Sequence, residues 1–322
     1  MWTTPTSPIF GTWTTSAAMS KPDFLDVAEG RIFWRFDAPV KAESESTSRP
    51  TLLFIHACVA DHTLWDDQVA YGTAKGWGCL RYDLFGLGQS VPSESYLQEV
   101  PMPVVKHHEH TARVVEAFHA FSIETGQQRS TKVVVVGLSC GGAIAVDFVL
   151  SYPELVSGLV VCAGGLGGLD IGGTPNEDAM FKQVEEFMGK KDSENAAKMN
   201  VAIWGDGPAA KEGRADTSTR QKLYNWCKDI ATREIAGTGG DAIPSEDLSD
   251  PPAAERLSQI KVKTMVALGR HDESSTIATM RYVAQHVQRA ELKEFETAHM
   301  INLECPKEFN DWLGAFLDRL LQ

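Results

Sequence analysis

No stretch of this 322-residue chain approaches the roughly 18 consecutive apolar residues that a membrane-spanning helix needs, so no membrane partner is expected. A basic excess is also missing. Lysine and arginine number 30 against 43 aspartates and glutamates, a formal charge of −13. Without a cationic face for phosphates, nucleic acid is not an expected partner, and a small neutral or apolar ligand is the natural one. There is no CxxC pair either. The six cysteines (Cys58, Cys79, Cys140, Cys162, Cys227 and Cys305) are scattered through apolar text, as reduced and mostly buried thiols are. Residues 1–21 lack the basic start and apolar stretch of a secretory leader. They read as a loose Ser/Thr/Pro-rich arm, with Met19 a second candidate start beside Met1, and a cytoplasmic location is expected. The glycine-rich "GGLGGLDIGG" after a strand-like run has neither the spacing of a dinucleotide loop nor the Lys-Ser/Thr of a P-loop. It reads as a hinge, and no cofactor is expected.

What is present is an alternation. Short β-branched or apolar runs stand at Gly30–Phe36, Thr51–His56, Gly78–Asp83, Lys132–Gly137, Gly158–Ala163, Lys263–Gly269 and Ala290–Glu296. Most are continuously apolar, as strands of a parallel sheet buried on both faces are. Segments with helical spacing lie between them, starting at Leu64, Val114, Gly141, Thr279 and Lys307. The pattern predicts a doubly wound, mostly parallel α/β sheet. Between Gly164 and Pro252 the strands stop and helical text takes over. The expected organisation is a core of residues 22–164 and 253–322, with residues 165–252 a helical insertion over the C-terminal edge of the sheet.

Four valines lead into "GLSCGG", where a serine and a cysteine, both able to act as nucleophiles, stand side by side. Gly137-Leu138-Ser139-Cys140-Gly141 fits Gly-x-Ser-x-Gly, the sharp strand-to-helix turn that lifts a serine above a sheet. For Cys140 to occupy the tip, a glycine is wanted at 138, where leucine stands; the register selects Ser139. A serine needs a base, and the base an orienting acid. Asp272 follows the strand-like "TMVALG", and His299 lies between the last strand-like run and the C-terminal helical segment, so the chain order is Ser139, Asp272, His299.

Five stretches in this order, "LLFIHACVADHTLWDDQ", "RYDLFGLGQS", "VVGLSCGGAIA", "IKVKTMVALGRHD" and "AHMINLECPKEF", give the chain a resemblance to the α/β-hydrolase superfamily over about residues 26–322. The resemblance implies an oxyanion hole made by the backbone N–H groups of Cys58 and Cys140. At the first of these the chain departs from the family's usual His-Gly pair, since Ala57 replaces the glycine. It further implies a capped serine hydrolase similar to enol-lactonase and esterase members, taking a small apolar ester or lactone. Carbon–carbon bond hydrolases of diketones and iminopeptidases share the triad and cap. A binding protein or receptor on the same fold is the alternative of another class.

Other residues have plainer readings. His271, beside Asp272, reads as a surface histidine. Asp83 reads as a pin for the loop closed by Gly86 and Gly88. Glu304 is expected to help start the last helix. His107, His108 and His110 give too few convergent ligands for a metal, so none is expected. Within the insertion, Trp204, Tyr224 and Trp226 are candidate ligand-facing aromatics, with Trp204 the first choice for substrate contact. The oligomeric state is not legible.

Overall fold

The computed structural model describes residues 20–40, 49–126, 129–211, 213–240, 243 and 250–322. The arm read over residues 1–21 lies outside these up to residue 19, as do parts of the insertion between 241 and 249. The strands are β1 (Ser20–Val27), β2 (Gly30–Asp37), β3 (Thr51–Ile55), β4 (Cys79–Tyr82), β5 (Val91–Pro92), β6 (Val133–Leu138), β7 (Val156–Cys162), β8 (Lys263–Gly269) and β9 (Glu291–Phe295). They form one sheet in the order β1-β2-β4-β3-β6-β7-β8-β9, with β5 paired to β2. β1, β2 and β5 pair antiparallel, and from β4 to β9 every neighbour is parallel. The fold is the expected mostly parallel α/β sheet.

The central strands, "TLLFI" and "VVVVGL", are buried at every position. Only a sheet covered on both faces can hide such runs. Ahead of the insertion, the sheet is covered by α1 (Asp66–Ala74), the single-turn α2 (Glu94–Leu97), α3 (His107–Glu124) and α4 (Cys140–Ser151). The insertion then gives α5 (Pro175–Gly189), α6 (Ser193–Asn200), a π-helical turn at Val201–Asp206 and α7 (Thr217–Ala236). The chain returns through α8 (Ala253–Arg256), α9 (Ser274–His286), α10 (Ile301–Glu304) and α11 (Pro306–Leu320). One core holds Phe118 of α3, Phe148 of α4 and Val283 of α9; the other, across the sheet, holds Val69 of α1 and Phe309, Leu313 and Phe316 of α11. Among the described residues no helix is long and apolar enough to cross a membrane.

Two features position a site. After β3 the chain first moves outward to β4 and then returns to place β6 on the other side of β3. The loops leaving β3 and β6 therefore diverge, opening a crevice at their C-terminal ends, where sheets of this kind bind ligands. The described part of the insertion contains helices and no strand, and its two ends touch. Ala254 N–H donates to the Gly167 carbonyl at 3.0 Å, and a Cβ at Gly168 would lie 2.4 Å from Pro252.

Candidate active site

β6 delivers Ser139 to the crevice in a conformation that L-residues avoid, φ 60° and ψ −126°. Such strain persists only where the surroundings force it, and it collects at functional sites. Here the forcing is steric. A Cβ at Gly137 would lie 2.1 Å from the Gly141 carbonyl oxygen, and one at Gly141 would lie 2.3 Å from that of Ile55. The turn is tight enough to exclude a side chain on either flank. The Ser139 N–H donates to Cys162 O at 2.9 Å, and its carbonyl accepts from Gly142 N at 2.8 Å. Ser139 is half-buried.

Gly141 resting on the end of β3 brings the start of α4 beside the loop that carries Cys58. Cys140 occupies the first position of α4, and its thiol lies 3.7 Å from the His56 carbonyl. The sulfur is thus turned to the β3 loop. Of the two residues assigned to the oxyanion hole, Cys140 stands at the positive end of the α4 dipole and Cys58 follows His56 in the loop after β3.

Asp272 and His299 come together through a second close approach. A Cβ at Gly269, the last residue of β8, would lie 2.0 Å from the Ala298 carbonyl, and His271 N–H donates to Thr297 O at 2.9 Å. The loops after β8 and β9 are in contact. His299 Nδ1 consequently lies 3.0 Å from Oδ1 and 2.9 Å from Oδ2 of Asp272, with both side chains buried. Asp272 Oδ1 also accepts the Glu273 N–H at 2.7 Å. A carboxylate on Nδ1 fixes the proton there and leaves the lone pair on Nε2. That Nε2 is buried and has no hydrogen-bond partner among the described residues. A hydrogen bond from the Ser139 hydroxyl is therefore not formed; in sites of this type that contact commonly tightens only with a reacting group in place.

Other histidines lie outside this pair. His56 donates from Nδ1 to Ala57 O at 2.7 Å and accepts at Nε2 from Leu84 N–H at 2.8 Å. Burial lowers its pKa against the pull of Asp83, so the ring is a neutral stitch between two loops. Asp83 accepts from the His62 N–H, His62 Nδ1 and the Gln89 N–H, at 2.7, 2.8 and 2.7 Å. Burial raises the Asp83 pKa, but these bonds, the one from the His62 ring first, outweigh it and the net shift is downward. It pins its loop, as read from the sequence. Asp61, His62 and Asp83 bring three metal-ligating atoms within 4.8 Å of one another. The ring and the Asp83 carboxylate are already spent on each other and on backbone, and Asp61 Oδ1 accepts from Thr63 N. His271 pairs with Glu296 at 2.9 Å on the surface. His107 and His110 are more deeply placed than a polar helix start requires. His110 lies 3.5 Å from Glu29, and burial pushes the His107 pKa down to about 3.

The insertion reaches this site at three points. Trp204, in the π-helical turn, lays its indole 4.4 Å from the His299 ring centroid at 43°, and Phe181 backs it at 5.5 Å. Glu177 accepts from Ser274 N–H at 2.8 Å and from its hydroxyl at 2.6 Å, two residues beyond Asp272. Arg214 bonds Glu304 at 2.5 Å. Glu304 does not cap the last helix; its Oε1 accepts the Ala298 N–H at 2.8 Å, beside His299. Burial raises its pKa, with Arg214 opposing. Sequence reasoning singled out Trp204 but missed Glu177 and Arg214, whose partners lie 97 and 90 residues away. Tyr224 lines an outer groove with Lys198 and Arg220, and Trp226 packs against the core of the α11 face.

Comparison with known proteins agrees with the fold. A hydrolase of Escherichia coli named for 2-hydroxy-6-oxononadienedioate and 2-hydroxy-6-oxononatrienedioate is 27% identical over 195 residues, 58% of this chain. The chain spans 63% of that relative's length. The enol-lactonase of Burkholderia xenovorans LB400 superposes with a TM-score of 0.62 at 17% identity, over 92% of this chain and 100% of the other. An esterase of Exiguobacterium antarcticum gives a TM-score of 0.64 at 17% identity, over 90% and 96% of the two chains. Residues 50–306 match the family described as the alpha/beta hydrolase fold, and the chain belongs to that family.

Proposed function

We propose that the protein is a serine hydrolase acting on a small, fairly apolar carboxylic ester or lactone through an acyl-enzyme. Ser139 Oγ attacks the carbonyl carbon while its proton passes to His299 Nε2. Asp272 holds the imidazole by Nδ1 and stabilises the imidazolium. The oxyanion is received by the N–H groups of Cys58 and Cys140. Collapse breaks the bond to the leaving oxygen, which takes the proton from the imidazolium. Water then repeats the sequence on the acyl-enzyme and releases the acid. The observation that carries the reading is the buried Asp272–His299 pair with its free Nε2, together with the strained Ser139 turn at the end of β6.

A second reading rests on the Escherichia coli relative. Its named substrates are oxo-dioates and contain no ester, so hydrolysis there falls on a carbon–carbon bond. The same three residues serve that reaction. Assay of wild type and Ser139→Ala with p-nitrophenyl acetate and butyrate, a lactone panel and a 2-hydroxy-6-oxo-dienoate separates the two. Turnover of the first two groups supports the ester reading, and turnover of the dienoate alone supports the other. Ser139→Ala is expected to lose on the order of 10³–10⁶-fold in kcat. If wild type hydrolyses none of these, the hydrolase assignment fails and a binding role on this fold takes its place. Activity that survives Ser139→Ala but is lost in Cys140→Ala overturns the choice of nucleophile.

A further inference from the structure

We infer that Arg214 is a positioning residue for the catalytic base, its guanidinium tying the turn that carries Trp204 to the loop that carries His299. The inference rests on the reading of His299 as the base.

The π-helical turn ends at Gly207, whose φ of 93° stops it and leaves the carbonyls before it without helical donors. Arg214 supplies them. Its Nε donates to Asp206 O at 2.5 Å and its Nη2 to Gly205 O at 2.8 Å. The same Nη2 donates to Glu304 Oε2 at 2.5 Å, and the other oxygen of Glu304 holds the N–H of Ala298, the residue before His299. The pair is shielded, with side-chain exposures of 21% for Arg214 and 7% for Glu304. Arg214 is itself set in place by Asp206, whose carboxylate accepts the N–H groups of Gly213 and Ala215 at 3.0 Å each and pairs with Arg220.

The His299 ring is thereby held in two ways. Asp272 fixes rotation in the ring plane through Nδ1, and the Trp204 indole covers a face. When the base takes the Ser139 proton, a cation forms against that π-surface in a desolvated site, where the attraction is strongest. The benefit arises as charge develops, not on substrate binding, so its loss lowers kcat more than it raises KM. Only a planar fork serves two carbonyls and a carboxylate together; a lysine ammonium does not.

The test compares wild type with Arg214→Ala, Arg214→Lys, Glu304→Gln and the Arg214→Ala/Glu304→Gln double variant. The probes are p-nitrophenyl acetate and phenylmethylsulfonyl fluoride. The second forms an Oγ–S bond at the activated serine with loss of fluoride and of the serine proton to the base, and reports base assistance without a fitted substrate. Arg214→Ala is expected to lose roughly tenfold or more in kcat with KM within about twofold, and its inactivation rate falls in parallel. Arg214→Lys recovers part of the loss. The double variant is no worse than Arg214→Ala alone, because the two act through one contact. A folded Arg214→Ala with wild-type kcat and inactivation rate overturns the inference, as does a rise in KM alone or additive losses in the double variant. If Arg214→Ala does not fold, the milder Arg214→Lys and Glu304→Gln decide: lowered kcat at constant KM in both supports the inference, and wild-type kcat in either overturns it. Should wild type react with neither probe and turn over none of the substrates above, it is the assignment of the base that falls, and Ser139→Ala will match it.

Discussion

Gly137 and Gly141 meet across the serine turn with no room for a Cβ on either, and this is why their spacing could be read from letters alone. Gly137→Ala places a methyl group 2.1 Å from a backbone oxygen that has no rotamer to escape into. We expect a cost of about 1–3 kcal/mol in urea unfolding together with a large loss of esterase activity; an unchanged rate argues that the turn relaxes freely. Asp272→Asn keeps the size and the buried contact but stabilises the wrong imidazole tautomer. The expected loss is on the order of 10⁴ in kcat with little change in unfolding midpoint. Cys140→Ala retains the N–H at the helix start, so kcat within a few-fold of wild type is expected; a hundredfold fall would give the sulfur a role it lacks here. The serine turn and the Asp272–His299 pair were legible because glycine register and chain order are patterns that letters alone carry. Glu304 was misread because its partners, Ala298 and Arg214, come from a folded-back loop and from an insertion whose conformation carries no periodic signature.

Seven strands were legible as apolar runs, and their observed ends differ by at most two residues. β1 and β5 were not. β1 alternates between exposed and half-buried from Pro22 to Val27, as an edge strand does, and β5 has only two residues. α3 starts at His107, seven residues before the apolar spacing becomes clear at Val114. In the insertion α5 and α7 were visible as helical text, while α6 and the π-helical turn were not, because a wider turn breaks the 3.6-residue period. The element with most leverage on the site is the start of α5. Thr174 and Glu177 form a reciprocal capping box, and the same Glu177 carboxylate holds Ser274 at the start of α9. Glu177→Ala removes the box and the link together. A loss of about 1–3 kcal/mol in urea unfolding is expected, larger than for Thr174→Ala, which leaves the link to Ser274 intact. Equal costs for the two would show that the link adds nothing.

At the scale of the molecule, the two cores across one sheet leave several histidines wholly or partly out of water. Burial lowers the pKa of His56, His107, His110 and His119, with His107 reaching about 3. The sign follows from which state takes the proton first. As pH falls through the ordinary histidine value of about 6.5, the unfolded chain binds protons that the folded chain refuses, so stability is full above that value and is lost below it. Asp83, whose pKa is lowered, adds a loss further down, whereas Glu304, whose pKa is raised, is protonated first in the folded state and works the other way. The formal charge of −13 also opposes the histidines, since acid relieves self-repulsion. A wild-type curve alone therefore mixes terms of opposite sign, and the informative quantity is a difference. His107→Asn removes one half-buried titration of up to about 1.4 kcal/mol per pH unit while leaving net charge at pH 7 unchanged. Urea unfolding of both proteins between pH 7 and pH 4.5 is expected to show the variant less stable or equal at pH 7 and gaining on wild type at every step below 6.5. A difference that stays constant across that range would mean that His107 is protonated as readily in the folded protein as in the unfolded chain.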